Sequence, residues 1–505
     1  MADLSILNHF WLTLLILLPI VLISRAVVAG TKYSPILIIV IFGLTLGLIL
    51  DISNIGNPGL STFPMIGFTS SVTITALIVT FFVGGQKLRN TFFKPKLPKE
   101  DDVTLNDNEV ILGTKGTQLI FIVRAYFILV GIEGLKRIIL GDSSSSLAIF
   151  YPLIAFFGIA GSLILIDSKA KIINKHQYLM RGVVEILGIL TILVLSFYIS
   201  SWIKDIIALP QIFFAMVISS TLGMIFSNWR GGPTFKSLLF GGIPMVLAAV
   251  FLVGGSRLLE AFTLDGMLQV IAFGFFGQLF WMFVGMALLV FLGKQQSVDI
   301  VAPGMAGSLS HSGLTGACTA GDLGDAAKEL APIMINVPFL GHIFVFTILA
   351  ASATRGELLV FPGLLVVIIG AVLTYLSLRV LSKSQGKKSQ QTKGLILFSL
   401  GWQLVAVFGG FIMLDLTGMS LSFAAMGNSS AISHFGLFAS IQGGMFGTEA
   451  AGMISFIFAM PFLIHPVVFG VFGKAMENNG QMPRRTVLGL AIAGVIGVLF
   501  TLIFL

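Results

Sequence analysis

Apolar runs of about 20 residues, separated by short polar segments, dominate the hydrophobic pattern of this chain. A helix of that length spans the hydrocarbon core of a bilayer, since each residue advances it by ~1.5 Å. The runs cover residues 9–29, 34–50, 64–85, 117–138, 147–168, 182–203, 207–227, 238–255, 268–292, 332–353, 357–381, 394–414, 449–473 and 486–505. The pattern therefore predicts an all-α polytopic membrane protein with about 14 spans.

Two further segments, 300–331 and 418–447, are rich in Gly, Ser, Thr and Ala and too interrupted for ordinary spans. They belong to a duplication: residues 310–342 align with residues 433–465 at a constant offset of 123, with 11 identities in 33 positions. Secondary transporters are built from such repeats, because two copies in opposite orientation give a site that can open to either side of a membrane.

Basic residues predict the orientation of the spans. If every apolar run crosses once and the two Gly-rich segments do not cross, all basic clusters fall on one side, which the positive-inside rule assigns to the cytoplasm. The clusters are 25–32, 87–99, 169–181, 230–236, Lys294, 379–393 and 474–485. Both termini then lie outside, in a multi-pass protein of the bacterial inner membrane. The Gly-rich segments become re-entrant hairpins that enter from opposite faces, so the repeats are inverted.

A weaker duplication in the first half agrees with this arrangement. FFVGGQKL (81–88) resembles FLVGGSRL (251–258), and the span that begins at Pro35 resembles the one that begins at Pro210. We divide the chain into a first membrane half with a degenerate core region (1–180), a second half that carries hairpin 300–331 (181–353), and a C-terminal region that carries hairpin 418–447 (354–505).

Composition excludes several functional classes. The net charge of +8 comes from short clusters between apolar runs, so it indicates topology rather than nucleic-acid binding. A single cysteine, Cys318, excludes an internal disulfide. An intramembrane enzyme would need a nucleophile with its base, or a metal motif such as HExxH, and neither occurs. The first apolar run has no basic residue before Arg25, so we interpret it as a span rather than a secretory signal.

The two Gly-rich segments are the candidate site. Broken backbone at membrane depth is tolerated where it lines a cavity or packs in protein, and half-helix N-termini favour anions while freed oxygens suit Na⁺. Close helix packing of small residues is the alternative interpretation. The candidate substrate-binding residues carry hydroxyl groups: Ser308, Ser310, Ser312, Thr315, Thr319, Ser429, Ser430, Ser433 and Thr448. The candidate sodium ligands are Asn428, Gln442 and Glu449. No other cofactor is expected.

Four of the six histidines are paired by the repeat: His311 with His434, and His342 with His465. They could relay protons, because an imidazole titrates near neutral pH. Alternatively each caps a freed backbone group, which is the interpretation we favour. Glu449 stands in a Gly-rich, apolar setting and is a second candidate for proton coupling.

Several stretches resemble the bacterial sodium:glutamate symporter family. LPQIFFAMVISSTLGMIFSN (209–228) is similar to the family's LP…G…SN span, and GQLFWMFVGMALLVFLGK (277–294) to its Gln-containing span that ends in Gly-Lys. SHSGLTGACTA (310–320) resembles its first hairpin, and GGMFGTEAA (443–451) resembles its GGHGTGAA hairpin. Cys318 stands where the family's hairpin has proline, and GGMFGTEAA lies outside its usual order.

The resemblance implies Na⁺-driven uptake of L-glutamate or a similar carboxylate, with substrate held between two re-entrant hairpins. The partners expected are a small anionic substrate, Na⁺, the lipid bilayer and a second copy of the chain in a homodimer. Coupling to protons through the paired histidines and Glu449 is the alternative mechanism.

Overall fold

A computed structural model describes residues 10–31, 33–52, 74–92, 122–131, 175–204, 211–226, 241–256, 258–263, 265–384, 387–442, 444–453, 456–457 and 460–504. The predicted span at 147–168 and the polar loop at 93–116 lie outside these residues. Everything that follows concerns the described part of the chain.

The described residues form helices and turns without a strand, which confirms the all-α prediction. The N-terminal helices are α1 (Phe10–Val27), α2 (Pro35–Ile52), α3 (Ile74–Phe92), α4 (Ile122–Gly131), α5 (Lys175–Lys204), α6 (Gln211–Ile225), α7 (Ile243–Ser256) and the single turn α8 (Leu258–Ala261). The remaining helices are α9 (Met267–Ala287), α10 (Val298–Leu309), α11 (Ser312–Ala320), α12 (Asp325–Arg355), α13 (Val360–Lys383), α14 (Lys388–Asp415), α15 (Leu421–Ile432), α16 (Phe435–Gln442), α17 (Thr448–Gly452), α18 (His465–Glu477) and α19 (Arg484–Phe504). Helix α9 continues as a π-helical turn over Leu288–Leu292.

Four helices in the described part are long and apolar enough to cross a membrane: Met267–Leu292, Val360–Lys383, Lys388–Asp415 and Arg484–Phe504. Two of them, α13 and α19, expose large apolar side chains such as Ile368 (58%) and Ile496 (62%). An apolar face of this kind is stable in contact with lipid tails and costly in water. Together with shorter apolar helices, these four identify an integral membrane protein.

The duplication extends over four helical segments in each of two units. The unit α9 to α13 (267–383) repeats as α14 to α19 (388–504), and the broken segments start at equivalent positions, Val298 and Leu421. Each unit contains a long helix, a broken helix, a second long segment and an outer helix. The first unit continues through residue 353, where the domain division drawn from the sequence places a boundary. That division therefore describes the sequence and does not correspond to these structural units.

In the core, the first long helix of each unit packs on the broken helix of the other unit. Helix α9 packs on broken helix α15 of the other unit, where a methyl group at Gly274 would lie 2.8 Å from Ser430 Cβ. Conversely, α14 packs on broken helix α10, where Ser399 Oγ donates to the Gly304 carbonyl over 3.4 Å. Small residues at these crossings permit the close approach of the backbones.

The two copies of the N-terminal repeat also pack on each other, with a helix of one copy against a helix of the other. A side chain at Gly255 of α7 would clash with the Leu44 carbonyl of α2. At the equivalent position in the other copy, a side chain at Gly85 of α3 would clash with the Ser220 carbonyl of α6. The weak sequence duplication therefore corresponds to a duplicated helix contact, because only glycine permits carbonyl contact at this distance.

Basic side chains collect at one end of the helix array. The first turn of α14 and the segments before α10 and α19 meet there, as Gln391 donates to Gln295 Oε1 over 2.6 Å and the Met482 amide donates to the Gln296 carbonyl over 2.8 Å. The Lys87 ammonium lies 3.4 Å from the Lys328 carbonyl at the same end. Other described basic residues close in sequence to these segments are Lys294, Lys383, Lys387, Lys388, Lys474, Arg484 and Arg485, and the Arg25 guanidinium lies 3.6 Å from Asp322.

Close contacts link the regions before and after each broken segment. A methyl group at Gly324, just after α11, would lie 3.2 Å from Asp299 Cβ in the first turn of α10. In the other unit, Phe446 after α16 packs against Phe411 near the C-terminus of α14, with ring centroids 5.9 Å apart. Five residues separate the end of α14 at Asp415 from the start of α15 at Leu421.

Candidate functional site

The backbone of each broken helix reverses at one serine. Ser310 (φ 48°, ψ 41°) and Ser433 (φ 53°, ψ 40°) are left-handed and follow the last residues of α10 and α15. A left-handed residue of this kind ends a helix, and for a residue other than glycine it costs ~1–2 kcal/mol. Each break is therefore maintained against its local cost by the packing around it.

A histidine starts the second half of each broken helix. His311 Nδ1 accepts the Leu314 amide over 3.2 Å, and His434 Nδ1 accepts the Leu437 amide over the same distance. Each ring thereby satisfies one of the backbone donors that a helix N-terminus leaves unpaired. For these two residues the structure confirms the capping interpretation.

The two breaks touch each other in the middle of the array. The backbones of His311 and His434 form an isolated antiparallel bridge, and both residues are fully buried. The C-termini of α10 and α15 and the N-termini of α11 and α16 all converge on this point. Partial positive charge from amides and partial negative charge from carbonyls therefore meet at one place.

Two equivalent side-chain clusters flank the His311–His434 bridge, the point at which the two broken helices meet and which we call the crossing. In the first cluster, Gln278 of α9 places its amide 3.0 Å from His311 Nε2, and the His465 ring packs on His311 with centroids 4.5 Å apart. In the second cluster, Gln403 of α14 lies 2.7 Å from His434 Nε2. Each cluster takes a glutamine and a capping histidine from one unit and a second histidine from the other unit.

The second cluster adds a direct contact between histidines. His342 Nε2 lies 2.9 Å from His434 Nε2, and the ring centroids are 4.6 Å apart. The amide of Gln403 also lies 2.9 Å from Ser310 Oγ. A continuous chain of polar contacts thus joins the first break to the second.

Sequence reasoning missed Gln278 and Gln403 as site residues. Their separation is 125 residues instead of 123, because α9 together with its π-helical turn at Leu288–Leu292 has two more residues after its glutamine than α14 has, and the π-helical turn accommodates part of this difference. A constant offset places Gly401 opposite Gln278. The signal that could have found the pair is a Gln-Leu dipeptide near a tryptophan in each copy, 278–281 and 402–404.

The predicted substrate-binding residues fall into separate groups. Ser310 and Ser433 are at the breaks, and Ser308, Ser429 and Ser430 are buried in the preceding helical turns. Thr319 lies near the far end of α11, where its hydroxyl donates to the Thr315 carbonyl over 2.7 Å. Thr448 is exposed at the start of α17. The side chain of Ser312 lies outside the described part of the structure.

The predicted sodium ligands are also separated. Asn428 is buried in α15, and its amide nitrogen donates to the Val407 carbonyl over 2.7 Å. Glu449 is exposed at the start of α17, while the Gln442 side chain is not among those described. Three buried side-chain oxygens near the breaks have no hydrogen-bond donor among the described residues: Thr315 Oγ1, Asn428 Oδ1 and Ser429 Oγ. The described residues include no group of three or more His, Cys, Asp or Glu side chains that could hold a metal ion.

An ionic contact ties the first broken segment to the N-terminal helices. The Arg25 guanidinium lies 3.6 Å from the Asp322 carboxylate, which also accepts a hydrogen bond from Ser34 Oγ over 2.8 Å. Asp322 is in the turn that follows α11. Burial raises the pKa of the Asp322 carboxyl above its ordinary value, and Arg25 and Ser34 oppose this shift.

No protein-family model, curated protein or solved structure matches this chain. The resemblance to sodium:glutamate symporters therefore remains a prediction from the sequence motifs. Fold and site geometry are the basis for any functional proposal.

Proposed function

We propose that this protein is a secondary active transporter that imports L-glutamate or a similar carboxylate together with Na⁺ by alternating access. The observation that carries the proposal is the meeting of two broken helices, one from each repeat, at the His311–His434 bridge. Discontinuous helices that converge at the interface of repeats are the usual substrate and ion site of such transporters.

The groups at the crossing can bind an anion and a cation at the same time. The N-termini of α11 and α16 direct amide dipoles toward it, which favours a carboxylate. The buried oxygens Thr315 Oγ1, Asn428 Oδ1 and Ser429 Oγ have no donor among the described residues, and oxygen ligands suit Na⁺. Of the predicted sodium ligands, Asn428 is thus the one whose position supports the proposal.

The proposed topology has about 14 spans, with re-entrant segments at 300–331 and 418–447. The approach of Gly324 to Asp299 and of Phe446 to Phe411 supports a return of each segment to the side from which it starts. The basic side chains collected at one end favour that end as the cytoplasmic one, with both chain termini outside.

Counterflow and uptake in proteoliposomes test the function. Vesicles with an inward Na⁺ gradient should accumulate a labelled carboxylate against its own gradient, and replacement of external Na⁺ by K⁺ should abolish this accumulation. A panel of carboxylates identifies the substrate. Accumulation of none of them, or downhill passage alone, would contradict the proposal.

An Asn428→Ala variant tests the sodium site. It should raise the Na⁺ concentration for half-maximal uptake more than Glu449→Gln does, because only Asn428 is buried near the breaks. Equal effects of the two substitutions would place the ion elsewhere.

A proton-coupled transporter is the second candidate. The 2.9 Å contact between His342 and His434 favours it, because an imidazole nitrogen that accepts a hydrogen bond at the centre of the site can also take up and release a proton. Uptake that ignores Na⁺ and disappears in His434→Gln would support this mechanism over sodium coupling.

A further inference from the structure

The hydrogen bonds of the crossing determine where the protons of the histidines lie. His434 Nδ1 accepts the Leu437 amide, so this nitrogen carries no proton. A neutral imidazole then holds its single proton on Nε2, which makes His434 Nε2 a donor. The same reasoning applies to His311, whose Nδ1 accepts the Leu314 amide.

The glutamines must therefore present oxygen to these donors. The two ends of a carboxamide have nearly the same shape, and the hydrogen bonds decide which is which. With oxygen toward His434, Gln403 accepts from Ser310 Oγ, 2.9 Å away, and shares the single His434 N–H, 2.7 Å away, with His342 Nε2. The same rotation gives Gln278 an acceptor for His311, and it uses the Oε1 atoms of both glutamines, which otherwise have no donor among the described residues.

The contact with His434 Nε2 determines the tautomer of His342. His342 Nε2 lies 2.9 Å from a nitrogen that carries a proton, so it must present its lone pair. His342 is thus neutral with its proton on Nδ1, and its Nε2 is a base that faces the crossing. By contrast, the capping histidines can gain a second proton only by releasing the backbone amide that they cap.

From this geometry we infer that His342 is the proton-binding residue of the crossing and that protonation of its Nε2 separates α12 from the start of α16. A proton taken up from water would place two N–H groups opposite each other, which replaces a hydrogen bond by a repulsion between donors. Proton binding and the His342–His434 contact therefore exclude each other. The inference concerns the same site as the proposed transport function and rests on it only for the effect on uptake.

The surroundings of His342 provide a comparison for the test. The described side chains in contact with its ring include His434 from the capped end of α16, Gln403 from α14, and Phe346 from α12 itself, with ring centroids 5.3 Å away. Of these neighbours only His434 is titratable. His465 holds the equivalent position against His311 and provides a matched comparison.

Nitrogen-15 spectroscopy of histidine-labelled protein in lipid nanodiscs tests the assignment without any assay of transport. The chain has six histidines, so single substitutions assign each ring. We expect His311 and His434 to show an unprotonated Nδ1 and a protonated Nε2, and His342 to show the opposite tautomer. As the pH is lowered from about 8, one ring should gain a proton before the other buried histidines do, and this signal should vanish in His342→Gln but persist in His465→Gln.

Two results would overturn the inference: a protonated Nδ1 on His434, or a titration that survives His342→Gln. If His342→Gln does not fold, His342→Asn provides the same comparison. In proteoliposomes, His342→Gln should reduce the pH dependence of initial uptake to less than about twofold over the pH range in which that signal changes, whereas His465→Gln should retain it. Absence of uptake in the unsubstituted protein would refute the proposed function while leaving the spectroscopic result to decide the inference.

Discussion

The side-chain amide of Gln403 lies 2.7 Å from Nε2 of His434, and this contact connects helix α14 to the break of the next helical segment. The same amide reaches Ser310 of the opposite break. A single side chain thus links both breaks, and its position between them makes it the most informative residue to change.

We predict that Gln403→Leu destabilises the protein and abolishes uptake. The substitution leaves the buried His434 N–H and Ser310 hydroxyl without this partner, at a cost of about 1–3 kcal/mol for each unsatisfied group. Thermal unfolding in detergent measures the loss, and uptake in proteoliposomes measures the function. Gln391→Leu is the control, because that glutamine bonds at the periphery of the array. Equal stability of the two variants would contradict the structural role of Gln403.

A methyl group should not be tolerated at Gly313 or Gly436. Alanine at Gly436 would place its Cβ 2.8 Å from Phe346 Cε2, and alanine at Gly313 would clash with the His465 ring. Overpacking of this kind costs about 1–3 kcal/mol, and we expect a lower melting temperature for each variant. Gly470→Ala in α18 and Gly489→Ala in α19 are matched controls, since no atom lies within 4 Å of the added methyl group. The controls should be as stable as the unsubstituted protein, because alanine favours a helix over glycine.

The Arg25–Asp322 pair should show energetic coupling. Asp322→Asn removes the carboxylate beside a buried guanidinium, and we expect a loss of about 3 kcal/mol, the lower part of the range for a buried pair. Adding Arg25→Met should recover much of this loss, because no cation then remains to be paired. A double-mutant cycle on unfolding measures the coupling. If the two losses simply add, the pair has no role in holding the broken segment to the N-terminal helices.

Cysteine labelling tests the proposed topology. In a Cys318→Ala background, we expect Lys387→Cys and Asp325→Cys to react only from the cytoplasmic side, and Leu416→Cys and Glu449→Cys only from the outside. All four positions are exposed in the structure. An impermeant maleimide applied to right-side-out and inside-out vesicles makes the comparison. Labelling of Asp325→Cys from the outside would mean that residues 300–331 cross the membrane completely.

The sequence predicts the helical architecture and the location of the breaks for physical reasons. Spanning helices need long apolar runs, and a broken helix needs small residues, so both leave a compositional signal. The repeat further identifies equivalent positions such as Ser310 and Ser433. It does not show which equivalent residues touch, and the crosswise pairing of His342 with His434 required the structure.

The glutamines escaped sequence analysis for a different reason. The segment after Gln278 has two more residues than the segment after Gln403, and a π-helical turn accommodates part of this difference, so a fixed offset misaligns the two glutamines. Polar residues such as Thr448 and Glu449 were predicted as site residues from their neighbours in sequence, but they stand on the exposed first turn of a short helix. Burial depends on contacts between distant segments, which local composition cannot specify.

The exchange of histidines between the two units has a consequence for biosynthesis. His311 leaves the ribosome long before His465, whose ring it needs as a neighbour, and His342 likewise precedes His434. Neither cluster can be complete until almost the whole chain has entered the membrane. The polar groups of the first broken segment therefore lack their partners until the second broken segment has been inserted. A nascent chain that is interrupted before α15 exposes the break at Ser310 to the insertion machinery without the second break that packs against it.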